Sequence, residues 1–284
     1  MYTAKKEFKK RQIVNYIALF IACAAAALGL FWLVFILADV VRHGMASLSP
    51  ELFLNEAVPP GMGGGGLKHA FIGQLLITLV ALIIGIPLGV LGGTYLAEYG
   101  RNSALGRFIS TLSDIMISVP SIVIGTFVYA VFVKPIGHFS GYAGALALAI
   151  IMVPVVLRTT EEMILLVPWE LREAAFALGA PYYKVILQVV YRGAATGIFT
   201  GVLLAIARIA GETAPLLFTS FNNMFLTTNM NESMPSLTVT IYQYAMGPYD
   251  DWHTMAWGAS FIITMFILVV TVMGRLIIHW KYKN

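Results

Sequence analysis

Apolar residues recur in long unbroken blocks along nearly the whole chain, and this limits the fold more than any single motif does. Blocks at 13–41, 69–97, 108–133, 142–167, 193–220 and 254–280 each exceed the roughly 20 residues an α-helix needs to cross a bilayer. A transmembrane barrel strand would alternate polar and apolar residues over about ten positions, whereas these blocks are apolar on all sides. The pattern predicts an all-α integral membrane protein with six transmembrane helices, one domain over 1–284. Only 11% of the residues are charged, against about 25% in an ordinary soluble domain. Six spans and their loops leave no length for a soluble catalytic domain, so extramembrane chemistry has to come from a partner.

The direction of the chain follows from its basic residues. With the N-terminus inside, the inner segments hold Lys5, Lys6, Lys9, Lys10, Arg11, Arg101, Arg107, Arg158, Arg172, Lys184, Arg192, Arg275, Lys281 and Lys283, and the outer ones only Arg42, Lys68 and Lys134. That split of 14 to 3 predicts cytoplasmic termini and long outer loops at 42–68 and 221–253. It also accounts for the net charge of +4 without invoking nucleic acid. The basic start resembles that of a signal peptide, but its apolar run is about twice a signal's 7–15 residues, so an uncleaved first helix is expected.

Several residues carry no chemistry. Cys23 is the one cysteine and lies inside the first block, which excludes an intrachain disulfide. His43, His69, His138, His253 and His279 lack metal-ligand spacing. The run Gly61–Lys68 has neither the Gly-Lys-Ser/Thr nor the preceding strand of a phosphate-binding loop, and it reads as an outer turn. A membrane enzyme is disfavoured because the chain offers no Gly-x-Ser-x-Gly elbow and no His-Glu-x-x-His.

Departures from a smooth span are more informative. Pro87, Pro120, Pro154 and Pro215 fall inside spans two to five, where each removes a backbone hydrogen bond, so four kinked inner helices are expected between two straight outer ones. Gly193, Gly197, Gly201 and Ala205, like Gly85, Gly89 and Gly93, recur every four residues and form grooves for close helix packing. Arg208 and Glu212 sit one turn apart near the middle of span five, where a charge costs roughly 2.5–3.5 kcal/mol on insertion scales. Pro215 follows, so the stretch Gly211-Glu212-Thr213-Ala214-Pro215 should leave helical geometry beside the pair, as backbone lining a pathway does. Ion-pair glue is the alternative. Asp114 and Arg158, Glu161 and Glu162 lie nearer the inner ends of spans three and four, where an Arg158–Glu162 structural pair is expected.

The inner loop 168–192 holds a second signal. Pro168 marks a break, Glu170 and Glu173 suit a helix's first turn, and Gly179 before Pro181 is a helix stop. Leu171, Phe176 and Leu178 add apolar bulk to this short helix that a solvated linker would not need, and a partner's groove is its natural receiver.

At Glu173, Ala174, Ala175 and Gly179 the chain resembles the permease subunits of ABC importers, whose signature is Glu-Ala-Ala, three residues, then Gly. The Leu-Pro that usually closes the motif is replaced by Val190-Tyr191-Arg192-Gly193. Tyr95–Tyr99, Val119–Val123, Arg158–Glu162, Arg172–Ala180 and Ala207–Pro215 look like the phosphate-specific branch. The resemblance implies a type I importer fold whose loop is the coupling helix that docks on an ATPase, contacting it through Glu173, Ala174, Ala175 and Gly179. It implies a complex in a bacterial inner membrane of this chain, a second homologous permease, two ATPase subunits that bind ATP and Mg, and an external phosphate-binding protein. Arg208, Glu212, Thr213 and Arg158 are then the candidate substrate-pathway residues, and this chain itself carries no cofactor. Sulfate or molybdate as the oxyanion, or a non-transporting structural subunit, are the other readings.

The orientation can be tested in a Cys23→Ala background. Gly64→Cys and Asn229→Cys should react with an impermeant thiol reagent in intact cells and Ala180→Cys should not; the opposite pattern would invert the topology.

Overall fold

The computed structural model describes residues 2–283, and among these every regular element is helical. The side chains of Lys5, Lys6, Arg275, His279, Lys281 and Lys283 lie outside what is described. In chain order the elements are α1 (Tyr2–Ala46), α2 (Pro50–Leu54), α3 (Lys68–Glu98), α4 (Ala104–Ser118), α5 (Ser121–Ile136), α6 (Gly141–Leu165), α7 (Trp169–Ala177), α8 (Tyr182–Ala210), α9 (Ala214–Thr219), α10 (Leu237–Met246) and α11 (Asp250–Lys283). Five of them, α1, α3, α6, α8 and α11, are long and apolar enough to cross a membrane, and α4 with α5 makes a sixth, broken candidate.

The four prolines have two different fates. Pro87 and Pro154 sit inside the continuous helices α3 and α6. At Val119–Pro120, by contrast, the chain turns by 108° between α4 and α5, so the third block is a bent pair rather than one kinked helix. Proline disfavours α geometry in the residue before it, and Val119 is extended, with φ −72° and ψ 131°. The fifth block also differs from expectation. Its helix begins at Tyr182, directly after Pro181, and stops at Ala210; Pro215 lies in the first turn of the separate α9. Lys184, Gln188 and Arg192 hide that early start from a hydropathy reading.

The core is built on α6, which lies between α3 and α8. A Cβ added at Gly85, Gly89 or Gly93 on α3 would meet Met152, Val156, or Leu157 and Thr160 on α6; one at Gly193, Gly197 or Gly201 on α8 would meet Val167, Met163 or Thr159. Both small-residue stripes therefore close on one helix, from opposite sides. Leu148, Met152 and Val156 are fully buried between them. Lipid is as apolar as leucine, so helices gain little by hiding hydrocarbon from it; close van der Waals contact holds them, and a bare Cα permits that contact.

The end of the bundle where α1 finishes carries α2, the glycine run and α10. Gly61 and Gly64 adopt left-handed φ values of 81° and 87°, which forms the expected turn, and Asn55 Nδ2 donates to the Gly64 carbonyl at 2.7 Å. α1 packs on α11 near its C-terminal end, where Gly44 meets Phe261 and His43 lies against Trp257.

A Cβ at Gly89 would lie 2.6 Å from Val156 Cβ. Gly89→Val should therefore cost about 1–3 kcal/mol by overpacking and lower the thermal stability of the purified protein, whereas Gly63→Ala, in open space, should leave it unchanged.

Candidate translocation site and coupling surface

The backbone departs from helix at the expected place. α8 ends at Ala210, and Gly211 and Glu212 make only short-range bonds, to the Arg208 and Ile209 carbonyls, both at 3.3 Å. Thr213 precedes α9 with φ −112° and ψ −51°. A neighbouring element bonds the break. The Thr238 hydroxyl on α10 donates to the Glu212 carbonyl at 2.9 Å, and within α9 the Thr219 hydroxyl bonds back to the Pro215 carbonyl at 2.7 Å. A Cβ at Gly125 on α5 would lie 2.6 Å from Pro215 Cα, so the two broken segments of the molecule press against each other here.

Arg208 and Glu212 face each other across this break without closing tightly. Arg208 Nε stands 4.0 Å from Glu212 Oε1, with the arginine side chain 44% exposed and the carboxylate 16%. Among the described residues the Arg208 guanidinium makes no hydrogen bond. An exposed, loosely paired cation beside irregular backbone has donors left for an anion; a structural pair at this depth would be expected to use them up.

Arg158 is placed differently. Its Nη1 donates to Glu161 Oε2 at 2.7 Å, and its Nη2 meets Asp114 Oδ1 at 2.6 Å and both the carbonyl and the hydroxyl oxygen of Ser110 at 2.7 Å. The expected partner Glu162 is exposed and takes no part; α4 lies beside α6, so its Ser110 and Asp114 share the guanidinium with Glu161 instead. No ion pair or hydrogen bond joins this cluster to Arg208, Glu212 or Thr213 among the described residues. No group of three potential metal ligands occurs among them either.

The loop 168–192 forms its short helix, Trp169–Ala177, directly after Pro168. Gly179 takes φ +78°, its N–H reaches the Phe176 carbonyl at 2.8 Å, and the Ala180 N–H reaches the Ala175 carbonyl at 3.1 Å. This is a Schellman cap, which needs a residue without Cβ at the left-handed position. Glu173, Ala174 and Gly179 are exposed and Ala175 is half-buried. Trp169, Leu171, Phe176 and Leu178 also stay in the open, Leu178 at 89%. The buried residue of this helix is Arg172, which bonds Glu98 at the end of α3 while Tyr182 holds the other carboxylate oxygen. Sequence reasoning counted Arg172 among the inner charges and missed this contact, since nothing in hydropathy pairs residues that are 74 positions apart. Glu98 lies within Tyr95–Tyr99, one of the stretches that carry the family resemblance.

Comparison with known proteins agrees with this architecture. Residues 85–280 match the family described as binding-protein-dependent transport system inner membrane component. The phosphate transport system permease protein PstA of Pasteurella multocida is 48% identical over 97% of this chain and 98% of its own length. Its counterpart of the same name in Haemophilus influenzae is 48% identical over 96% and 97%. A chain of a bacterial ABC transporter involved in the import of the acidic polysaccharide alginate superposes with a TM-score of 0.60 at 14% identity, covering 95% of this chain and 96% of that one, and shares the fold. The chain therefore belongs to the inner membrane components of binding-protein-dependent transport systems, within their PstA permease branch.

Proposed function

We propose that this chain is one permease of an ATP-driven phosphate importer and forms half of its translocation pathway at the α8–α9 break. The observation that carries the reading is Arg208, half-exposed and loosely paired at 4.0 Å from Glu212 beside unwound backbone. Divalent phosphate moving into a negative interior climbs about 2.3 kcal/mol per charge per 100 mV, so energy must be supplied. This chain has no nucleotide motif. The supply comes through α7 from two ATPase subunits that bind ATP and Mg, and an external phosphate-binding protein delivers the anion to the outer loops. A second, homologous permease completes the path, and the termini face the cytoplasm.

In this reading the anion meets the planar Arg208 fork, which offers paired donors to two phosphate oxygens. Glu212 holds the cation before the anion arrives and repels the anion afterwards, so that binding stays weak enough for release. Thr213 lies in the same unwound turn. Arg158, held by two carboxylates, shapes the inner end of the path, where its net negative cluster discourages return. The oxyanion itself is tested by competition: excess sulfate or molybdate that suppresses phosphate uptake through the reconstituted importer would make one of them the substrate.

Two experiments test the reading. The double variant Arg208→Ala with Glu212→Gln removes both charges, so it should insert and assemble, yet phosphate uptake should fall at least about tenfold. Arg208→Lys, a point charge without the fork, should keep only part of the activity. Near-normal uptake by the double variant would reduce the pair to glue. Separately, Gly179→Val strains the left-handed cap and should weaken co-purification of the ATPase subunits while the permease still inserts; undiminished assembly would remove α7 as the contact.

A further inference from the structure

The inner ends of three helices and the short helix α7 meet at one carboxylate. Glu98, the last residue of α3, has a side chain only 3% exposed, and Arg172 of α7 is 6% exposed. Removing both charges from water is costly, and their attraction offsets this only where the geometry is good and the remaining donors find partners. Here they do. Arg172 Nη2 donates to Glu98 Oε1 at 2.8 Å and to the Ile164 carbonyl at 3.1 Å, and Nη1 donates to the Val167 carbonyl. The Tyr182 hydroxyl donates to Glu98 Oε2 at 2.8 Å. The Trp169 ring covers the guanidinium at 5.5 Å, and Phe176 stacks on Tyr182 with ring centres 5.9 Å apart.

Arg172 therefore ties α7 to the end of α3, to the end of α6 and, through Glu98, to the first residue of α8. Apolar packing alone lets one helix slide over another with little change in energy; hydrogen bonds to fixed carbonyls and to a buried carboxylate do not. The cluster is also closed to a translocating anion, because both charged side chains are almost fully covered. Its two charged side chains are buried while Leu171 and Leu178 beside them are exposed, so the charges are not themselves the docking surface.

We propose that Arg172, Glu98 and Tyr182 form a positioning clamp that makes the coupling helix move as one body with the inner ends of α3, α6 and α8. Displacement of α7 then reaches the pathway and is not lost to sliding. The proposal rests on the reading of α7 as the ATPase contact.

The test uses the whole importer in proteoliposomes with its phosphate-binding protein. Arg172→Met alone would strand the buried Glu98 carboxylate and threaten folding, so it is combined with Glu98→Gln. The expected result is that ATPase subunits co-purify in wild-type proportion while ATP hydrolysed per phosphate imported rises about tenfold. Arg172→Lys, which keeps the charge and a donor toward Glu98, should fall between the two. A wild-type ratio in the assembled double variant would overturn the clamp, and so would loss of the ATPase subunits from it, which would make the cluster a scaffold only. The docking reading is checked separately: in a Cys23→Ala background, Leu178→Cys should cross-link to an ATPase subunit through a cysteine-to-amine reagent. Without that cross-link both readings fall; with it, an unchanged ratio removes the clamp alone.

Discussion

Close contact of α3 and α8 with α6 is the interaction on which the rest of the structure depends. Gly89 against Val156 on one side and Gly201 against Thr159 on the other leave no room for even a methyl group. In a bilayer such contact replaces the hydrophobic drive that would hold a soluble core together. Because Gly201 and the fully buried Ala205 hold α8 against its neighbours, the chain arrives at Arg208 in a defined orientation. The unwound turn that follows is positioned by that packing.

Prolines show how little a residue decides without its surroundings. Pro87 and Pro154 are absorbed by continuous helices, while Pro120 and Pro215 stand at breaks. At the second break a freed backbone group has a partner at hand: the Thr238 hydroxyl meets the Glu212 carbonyl. Unwinding at membrane depth is tolerable where such partners are supplied, and their supply depends on which elements lie nearby.

Three arginines that look alike in the sequence have three different fates. Arg158 is gripped by two carboxylates, Arg172 is buried in a network that satisfies both terminal nitrogens, and Arg208 stands half-exposed beside one distant carboxylate. Depth in the apolar block was enough to single out Arg208, because a charge there is costly wherever it points. The other two lie near helix ends, where a basic residue is ordinary and its environment comes from other elements.

Much of this protein is determined by local sequence. The apolar blocks specify helices long enough to cross a membrane, the glycine periodicity specifies close packing, Pro168 and Gly179 delimit the short inner helix, and Gly211–Pro215 marks the unwound turn. Each is legible because its cause lies within a few residues: hydrocarbon length, a missing Cβ or a missing N–H. The tertiary structure alone decided that both glycine faces close on α6, that the third block turns through 108°, that Arg158 pairs with Asp114 and Glu161, and that Glu98 meets Arg172. These depend on which helix lies beside which, and in an apolar medium that choice rests on shape complementarity between distant segments, which no local pattern encodes.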